Sequence, residues 1–315
     1  MTDLTHLLPE ADDAPRCSLF TRAQGFAPAG TGVRADRLVL IECPLPWPMP
    51  IRDHRYLDGL MALLDHADRP SRIFAAVPTG VADTVRVVVF DRVGGGVARR
   101  TYRVPRQGDL LELVRSLLAS DHAAVSGALV DETVPARTLL VCTQGTHDIC
   151  CGSFGTRLAV EATAAFGDVE VFRVSHTGGH RFAPTAMTLP DGRMWAYLDV
   201  PTLASIYDET ASPAQLAAIG RGWWGVDRGP AQVAEQAVFA AVGWSLHNHD
   251  RSVDVPEMPR LDGPPVVCAV SAGDRRWRVT VGVERIVPTI SCRQPGGLPA
   301  KPASEYAVTS LESLR

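Results

Sequence analysis

TLLVCTQGTHDICCGSFGTRLAVEATAAF, residues 138–166, joins two kinds of hydrophobic pattern through one polar loop. TLLVC is a short continuous apolar run and reads as a buried strand ending at Cys142. SFGTRLAVEATAAF (153–166) has apolar residues at helical spacing, with Ser153 placed to cap its amino end. Cys150 and Cys151 stand immediately before that helix. A strand that ends in one cysteine thus leads into a helix preceded by two more, on the same side of any sheet the strand joins.

Working outward, VEVFRVSH, PTAMTLPDG and MWAYLDVP read as strands, and TLASIYDET begins a closing helix. The same order occurs upstream. RLVLIECP (37–44) is strand-like and DHRYLDGLMALLDHA (53–67) carries helical spacing. RIFAAVPTG, TVRVVVFD and ARRTYRVP then read as strands, and GDLLELVRSLLAS (108–120) as a helix. Asp91 before the VGGG turn answers Asp191 before Gly192, and VPTG (77–80) answers SHTGG (175–179). The expected fold is α/β, with two tandem thioredoxin-like units from a degenerate internal duplication. The expected boundaries are 1–135 for a unit without ligands, 136–211 for a ligand-bearing unit, and 212–315 for an extension. In that extension SPAQLAAIG and GPAQVAEQAVFAAVGW (229–244) read as helices, Pro230 suiting a first turn. PVVCAVSAGDRRWRVTVGVERI (265–286) reads as a β-hairpin turned at AGD, and the tail from Gln294 as extended and partly disordered.

Composition excludes several function classes. With 46% hydrophobic and 21% charged residues and a net charge of −4, the chain reads as an ordinary globular protein. Lys301 is the only lysine among 31 basic residues, a skew that points to codon bias. No basic stripe suggests a nucleic-acid partner, and no apolar run reaches the roughly 18 residues of a membrane helix. MTDLTHLLPEADDAPRC lacks the apolar core of an export signal. Seven cysteines, an odd number without such a signal, lead us to expect a reducing cytoplasm and metal or redox chemistry.

SHTGGHRFAP (175–184) sets His176 and His180 four apart around Gly178 and Gly179. On a helix that spacing would place both imidazoles on one face, but each glycine costs about 1 kcal/mol in a helix interior, and Pro184 follows. The segment is expected to be a loop that wraps a ligand. It follows the strand neighbouring Cys142, so two sulfurs and two imidazoles would converge at the carboxyl edge of the sheet. Two metals answer that donor set: zinc in a closed tetrahedral site, or an iron–sulfur cluster.

VCTQGTHDICCGSFGTRLA and VFRVSHTGGHRFAPTAMTLPDG resemble the sucrase/ferredoxin-like proteins, a branch of the thioredoxin-like [2Fe–2S] ferredoxins. The resemblance extends to PAGTGVRADRLVLIECPLPWP, RGWWGVDRGPAQVAEQAV and the WRVTV…SC end. It implies that two cysteines hold one iron and two histidines the other, which carries over to Cys142, Cys151, His176 and His180. Cys150 is the alternative to Cys151. Gln144 and His147 stand where relatives carry His and Arg, so His147 is either an exposed imidazole or an alternative ligand. The implied function is one-electron transfer rather than enzyme activity of its own, with a protein reductase and a protein acceptor as partners.

Charge supports a raised potential. Two ferric ions, two sulfides and two thiolates sum to zero, whereas four thiolates give minus two, so an electron is accepted more readily with imidazole ligands. Rieske centres, also histidine-ligated, span about −150 to +300 mV. The second N–H of each imidazole can release a proton more readily when the iron is oxidised, which couples electron to proton. The competing expectations are a zinc-stabilised interaction module and a thiol oxidoreductase, the latter without the usual Cys-x-x-Cys. In the first unit Cys43 stands next to where Cys142 would align, and Ala76 and Gly80 stand near the histidine positions, so that unit is expected to be ligand-free. Cys17, Cys268 and Cys292 are read as core or tail residues, GWWG (222–225) as core, and HNHD (247–250) as a polar turn.

Overall fold

The computed structural model describes residues 4–80, 83–105, 107–121, 123–130 and 136–314. A short helix α1 (Cys17–Ala23) precedes β1 (Arg37–Glu42), β2 (Ser71–Ala76), β3 (Val85–Val93), β4 (Gly96–Val104), α2 (Gln107–Leu118) and β5 (Leu129–Val130). The apolar runs form the strands, as expected for segments buried on both faces of a sheet. Residues 53–67 depart from the single helix expected there and form separate 3₁₀ turns at Ile51–Asp53, Arg55–Leu57 and Met61–His66. The chain leaves helical geometry at His54 (ψ 131°) and Asp58 (ψ 126°). His54 explains the first break: its Nδ1 accepts the Tyr56 N–H, and its Nε2–H donates to the Pro44 carbonyl at 3.0 Å. A side chain that captures nearby backbone groups competes with the helical ladder.

The second half runs β6 (Arg137–Cys142), α3 (Thr156–Ala165), β7 (Val169–Val174), β8 (Ala186–Leu189), β9 (Arg193–Trp195) and α4 (Val200–Tyr207). Its pairings repeat those of the first half. β6 lies parallel to β7 and antiparallel to β8, which pairs with β9. In the same way β1 lies parallel to β2 and antiparallel to β3, which pairs with β4. The halves join through one antiparallel pair, Ala76 with Val174. After α5 (Pro213–Leu216), β10 (Gly220–Trp223) pairs with β9. Among the described residues ten strands thus form one sheet, ordered β10-β9-β8-β6-β7-β2-β1-β3-β4-β5. The carboxyl ends of β1, β2, β6 and β7 meet at its middle: Cys43 N–H donates to Ala76, Thr143 to Val174, and Ser175 to Ala75. The expected unit boundary at 135/136 falls partly outside the described residues.

Helix α6 (Pro230–Val242) lies between this sheet and an antiparallel four-stranded sheet of β11 (Arg251–Asp254), β12 (Val266–Ala272), β13 (Arg275–Ile290) and β14 (Pro299–Leu314). The expected hairpin is present as β12–β13. The tail, expected to be extended and partly disordered, instead pairs along β13 from Ile290 to Arg276. Composition hides this because the long β13 supplies the backbone partners that the Pro/Gly-rich start of the tail cannot announce. Trp223 and Trp224 are both buried, with Trp223 Nε1–H donating to the Asp191 carbonyl, so GWWG is core. No described helix is long and apolar enough to cross a membrane.

Glu235 of α6 is 0% exposed and accepts hydrogen bonds from Arg193 (2.8 and 3.0 Å) and Arg251 (2.8 Å). His247, expected in a polar turn, joins this network instead: its Nε2 accepts from Arg193 Nε at 2.7 Å. Burial first, and then Arg193 and Arg251, depress its pKa to about 2. A histidine of ordinary pKa, about 6.5, is the unfolded reference. Below that pH the unfolded chain binds the extra proton and the folded chain does not, so stability falls as pH is lowered from about 6.5. The His247 contribution to that slope reaches at most about 1.4 kcal/mol per pH unit. Urea midpoints between pH 7 and 4 should fall more steeply for the wild type than for His247→Gln.

Candidate metal centre

Cys142, at the end of β6, is fully buried. The next segment turns on Asp148, whose Oδ1 accepts the N–H groups of Cys150 (2.7 Å) and Cys151 (3.4 Å). Asp148, rather than Ser153, therefore caps the helical segment, because its carboxylate reaches the first orphan donors. One π-helical turn, Cys151–Gly155, then passes into α3. Gly155 permits the close packing of this turn on the strand: a β-carbon there would collide with the Cys142 carbonyl oxygen. That contact sets Cys151 beside Cys142.

The histidine loop leaves β7 under equal constraint. Ser175 Oγ accepts the Ala75 N–H, and His176 N–H donates to Gln144 Oε1 at 3.0 Å. Gln144, itself buried, donates to the Pro48 carbonyl. Gly179 is left-handed (φ 67°), and a β-carbon there would meet the Arg221 guanidinium. The HisxxxHis segment is a loop ending in the 3₁₀ turn His180–Phe182, as its glycines predict.

The ligand atoms of Cys142, Cys151 and His176 lie within 4.8 Å of one another. His176 Nδ1 is buried without a hydrogen-bond partner among the described residues. Cys142 is pushed well below the usual thiol range, first by a hydrogen bond from Cys151 and then, against its burial, by His176. Cys151 is raised, first by its hydrogen bond to Cys142 and then by burial. His180 stands apart from this trio: its Nδ1 lies 2.9 Å from Asp148 Oδ2 and 3.5 Å from Cys17 Sγ. Its ring centroid is 5.8 Å from that of His176. With Nδ1 turned to Asp148, ligation by His180 would use Nε2. His147 stacks on His176 with centroids 3.7 Å apart. Burial first, and then His176 and His180, lower His147 to about 4. It is a neutral ring laid on a candidate ligand, a placement the sequence did not reveal.

Cys150 turns away from Cys142. It groups with Cys17, Asp148 and Cys292, its Sγ lying 3.8 Å from Cys17 Sγ and 3.2 Å from Cys292 Sγ. No local spacing could have joined residues 17, 150 and 292. None of the seven cysteines, all within the described residues, forms a disulfide. In β1 the residue that corresponds to Cys142 is Glu42; Cys43 follows it, buried, with its pKa raised by burial and then by Glu42.

Three arginines surround the histidine loop. Arg221 is fully buried and donates to the carbonyl and hydroxyl of Thr31. Burial first, and then Arg228, lower it to about 10. Arg181 and Arg228 line an open cleft of about 880 Å³ whose wall includes His176 and Gly178. A donor set of buried free thiols and an imidazole nitrogen without a partner fits a soft or borderline metal centre.

The family model described as sucrase/ferredoxin-like matches residues 28–222, which takes in Cys142, Cys151, His176 and His180 but neither Cys17 nor Cys292. No curated protein and no solved structure matches the chain.

Proposed function

Because the chain belongs to the sucrase/ferredoxin-like family, we propose that it is an electron-transfer protein whose second half carries one [2Fe–2S] cluster. The observation that carries this reading is the meeting of Cys142, Cys151 and His176, with the Nδ1 of His176 left without a hydrogen-bond partner among the described residues. Cys142 and Cys151 would hold one iron, and His176 and His180 the other. When bound, the cluster would supply a one-electron redox centre, at a potential raised by neutral imidazoles in place of two thiolates.

The chain's own residues prepare that site. Asp148 accepts from His180 Nδ1 and fixes the ring, the carboxylate–histidine arrangement common around metals. Gln144 ties the His176 backbone to the first ligand loop. Burial of both thiols keeps water from the sulfur side, while His176 borders the basic cleft, where an acidic surface of a reductase or acceptor would dock. Both halves are read as thioredoxin-like units, a reading supported by their matching strand pairings. The unit 136–211 would carry the ligands, 1–135 sets Glu42, with Cys43 next to it, where the second unit has Cys142, and 212–315 would brace both.

Anaerobically purified protein is expected to be red-brown and to give an EPR signal on reduction. A colourless protein with zinc at Cys142, Cys151, His176 and His180 would establish the interaction module instead. Thiol chemistry that survives chelation and dies with Cys150→Ser would establish the oxidoreductase. Proton coupling through the ligand imidazoles predicts a potential that falls by about 59 mV per pH unit for each proton coupled to the electron. A potential that stays constant from pH 6 to 9 would refute that coupling.

A further inference from the structure

We propose that Cys17, Cys150, Cys292 and Asp148 form a second metal site, a closed structural zinc site that fastens both ends of the chain to the ligand loop. Their ligand atoms lie within 4.8 Å of one another. In a tetrahedral zinc site with bonds of about 2.3 Å, neighbouring sulfurs are roughly 3.8 Å apart. Cys17 and Cys150 are separated by 3.8 Å, and Cys150 and Cys292 by 3.2 Å. Asp148 Oδ2 lies 3.2 Å from Cys17 Sγ. Three sulfurs and one carboxylate oxygen complete four-coordination and leave no open position, the pattern of a structural rather than a catalytic zinc.

The surrounding backbone brings the three segments together independently of the thiols. Arg293 N–H donates to the Pro15 carbonyl, and Gly296 N–H to the Asp13 carbonyl, so the segments before Cys17 and after Cys292 are already joined. Arg16 donates to Ser153 Oγ and lies over the Phe154 ring, which ties the first segment to the turn that follows Cys150. Cys17, Cys150 and Asp148 are buried and Cys292 is half-buried, so an unpaired thiol cluster here would have little solvent to compensate it. Asp148 also accepts from His180, and so connects this site to the histidine loop.

The adjacent cysteines 150 and 151 thereby acquire separate duties, Cys151 with Cys142 and Cys150 with the two distant segments. This assignment does not depend on which metal Cys142 and Cys151 hold.

The test is metal analysis of the full chain, purified anaerobically, alongside its visible spectrum. The wild type is expected to hold about one zinc per chain at this site. Cys292→Ala and Cys17→Ala should each lose that zinc while keeping the iron spectrum, and Cys142→Ser should lose the iron spectrum while keeping the zinc. If the Cys142 group proves to hold zinc rather than a cluster, Cys292→Ala should still lower the zinc content by one half. Should a variant fail to fold, alkylation of the wild type decides: iodoacetamide should reach Cys17, Cys150 and Cys292 together only after chelation. Cobalt(II) added to the chelated protein should then give the absorption of a tetrahedral thiolate site. Zinc content unchanged in Cys292→Ala overturns the proposal. So does a wild type that binds neither zinc nor cobalt at these residues, or one in which mass mapping finds a Cys150–Cys292 disulfide.

Discussion

Cys142→Ser is expected to yield a folded protein that has lost its visible iron absorption and its EPR signal. Changes to residues around a metal ligand already cost roughly 10–100-fold in metal affinity, and Cys142 is proposed as a ligand itself. A hydroxyl is a poorer donor to iron than a thiolate, and no spare thiol stands ready, since Cys150 faces Cys17 and Cys292. The side chain is 0% exposed, so water cannot easily take its place. Iron analysis and the visible spectrum measure the loss, and far-UV circular dichroism checks that the fold remains. Full iron retention in Cys142→Ser, with loss in Cys150→Ser, would reverse the assignment of the two cysteine groups.

Glu235→Ala should be strongly destabilising, by about 3–5 kcal/mol, the range for breaking a buried ion pair on one side. The carboxylate stands between Arg193 and Arg251, each about 1–2% exposed along its side chain. Those guanidiniums also lie over aromatic rings, Arg193 3.6 Å from the Phe239 centroid and Arg251 4.0 Å from that of Trp223. Without Glu235 both guanidiniums lose the carboxylate hydrogen-bonded between them and keep only the weaker field of Asp191. Replacing all three, as Arg193→Met, Glu235→Leu and Arg251→Met, should recover most of the loss, because well-packed apolar residues often substitute for buried ions at little cost. Urea denaturation of the single and triple variants measures both. A single variant within about 1 kcal/mol of the wild type would mean that the arginines find other partners.

The contrast between these two sites shows what a sequence carries. Cys142 was legible because a strand-like run ends on it, and the histidine loop because glycines at 178 and 179, with Pro184 after them, disfavour an ordinary helix. Asp148 was harder to read: Ser153 offered a conventional cap, yet the chain turns earlier, where a carboxylate can meet two N–H groups at once. The break at His54 depended on its hydrogen bonds to Tyr56 and Pro44, and helical spacing alone conceals such competition. The Cys17–Cys150–Cys292 group arises entirely from tertiary contact, as does the pairing of residues 299–314 along β13. The family match begins at residue 28 and ends at 222, so it excludes the outer members of that group.

The junction of Ala76 with Val174 bears on any attempt to shorten this protein. A fragment beginning at residue 136 would turn β7 into an open border, offering unsatisfied backbone groups to any neighbouring chain. It would also strip away the carbonyl of Pro48, the amide of Ala75 and the thiol of Cys17, three anchors that reach the loops from outside the fragment. The half that would carry the redox chemistry is therefore expected to aggregate in isolation, because the preceding half supplies its strand pairing and its loop anchors.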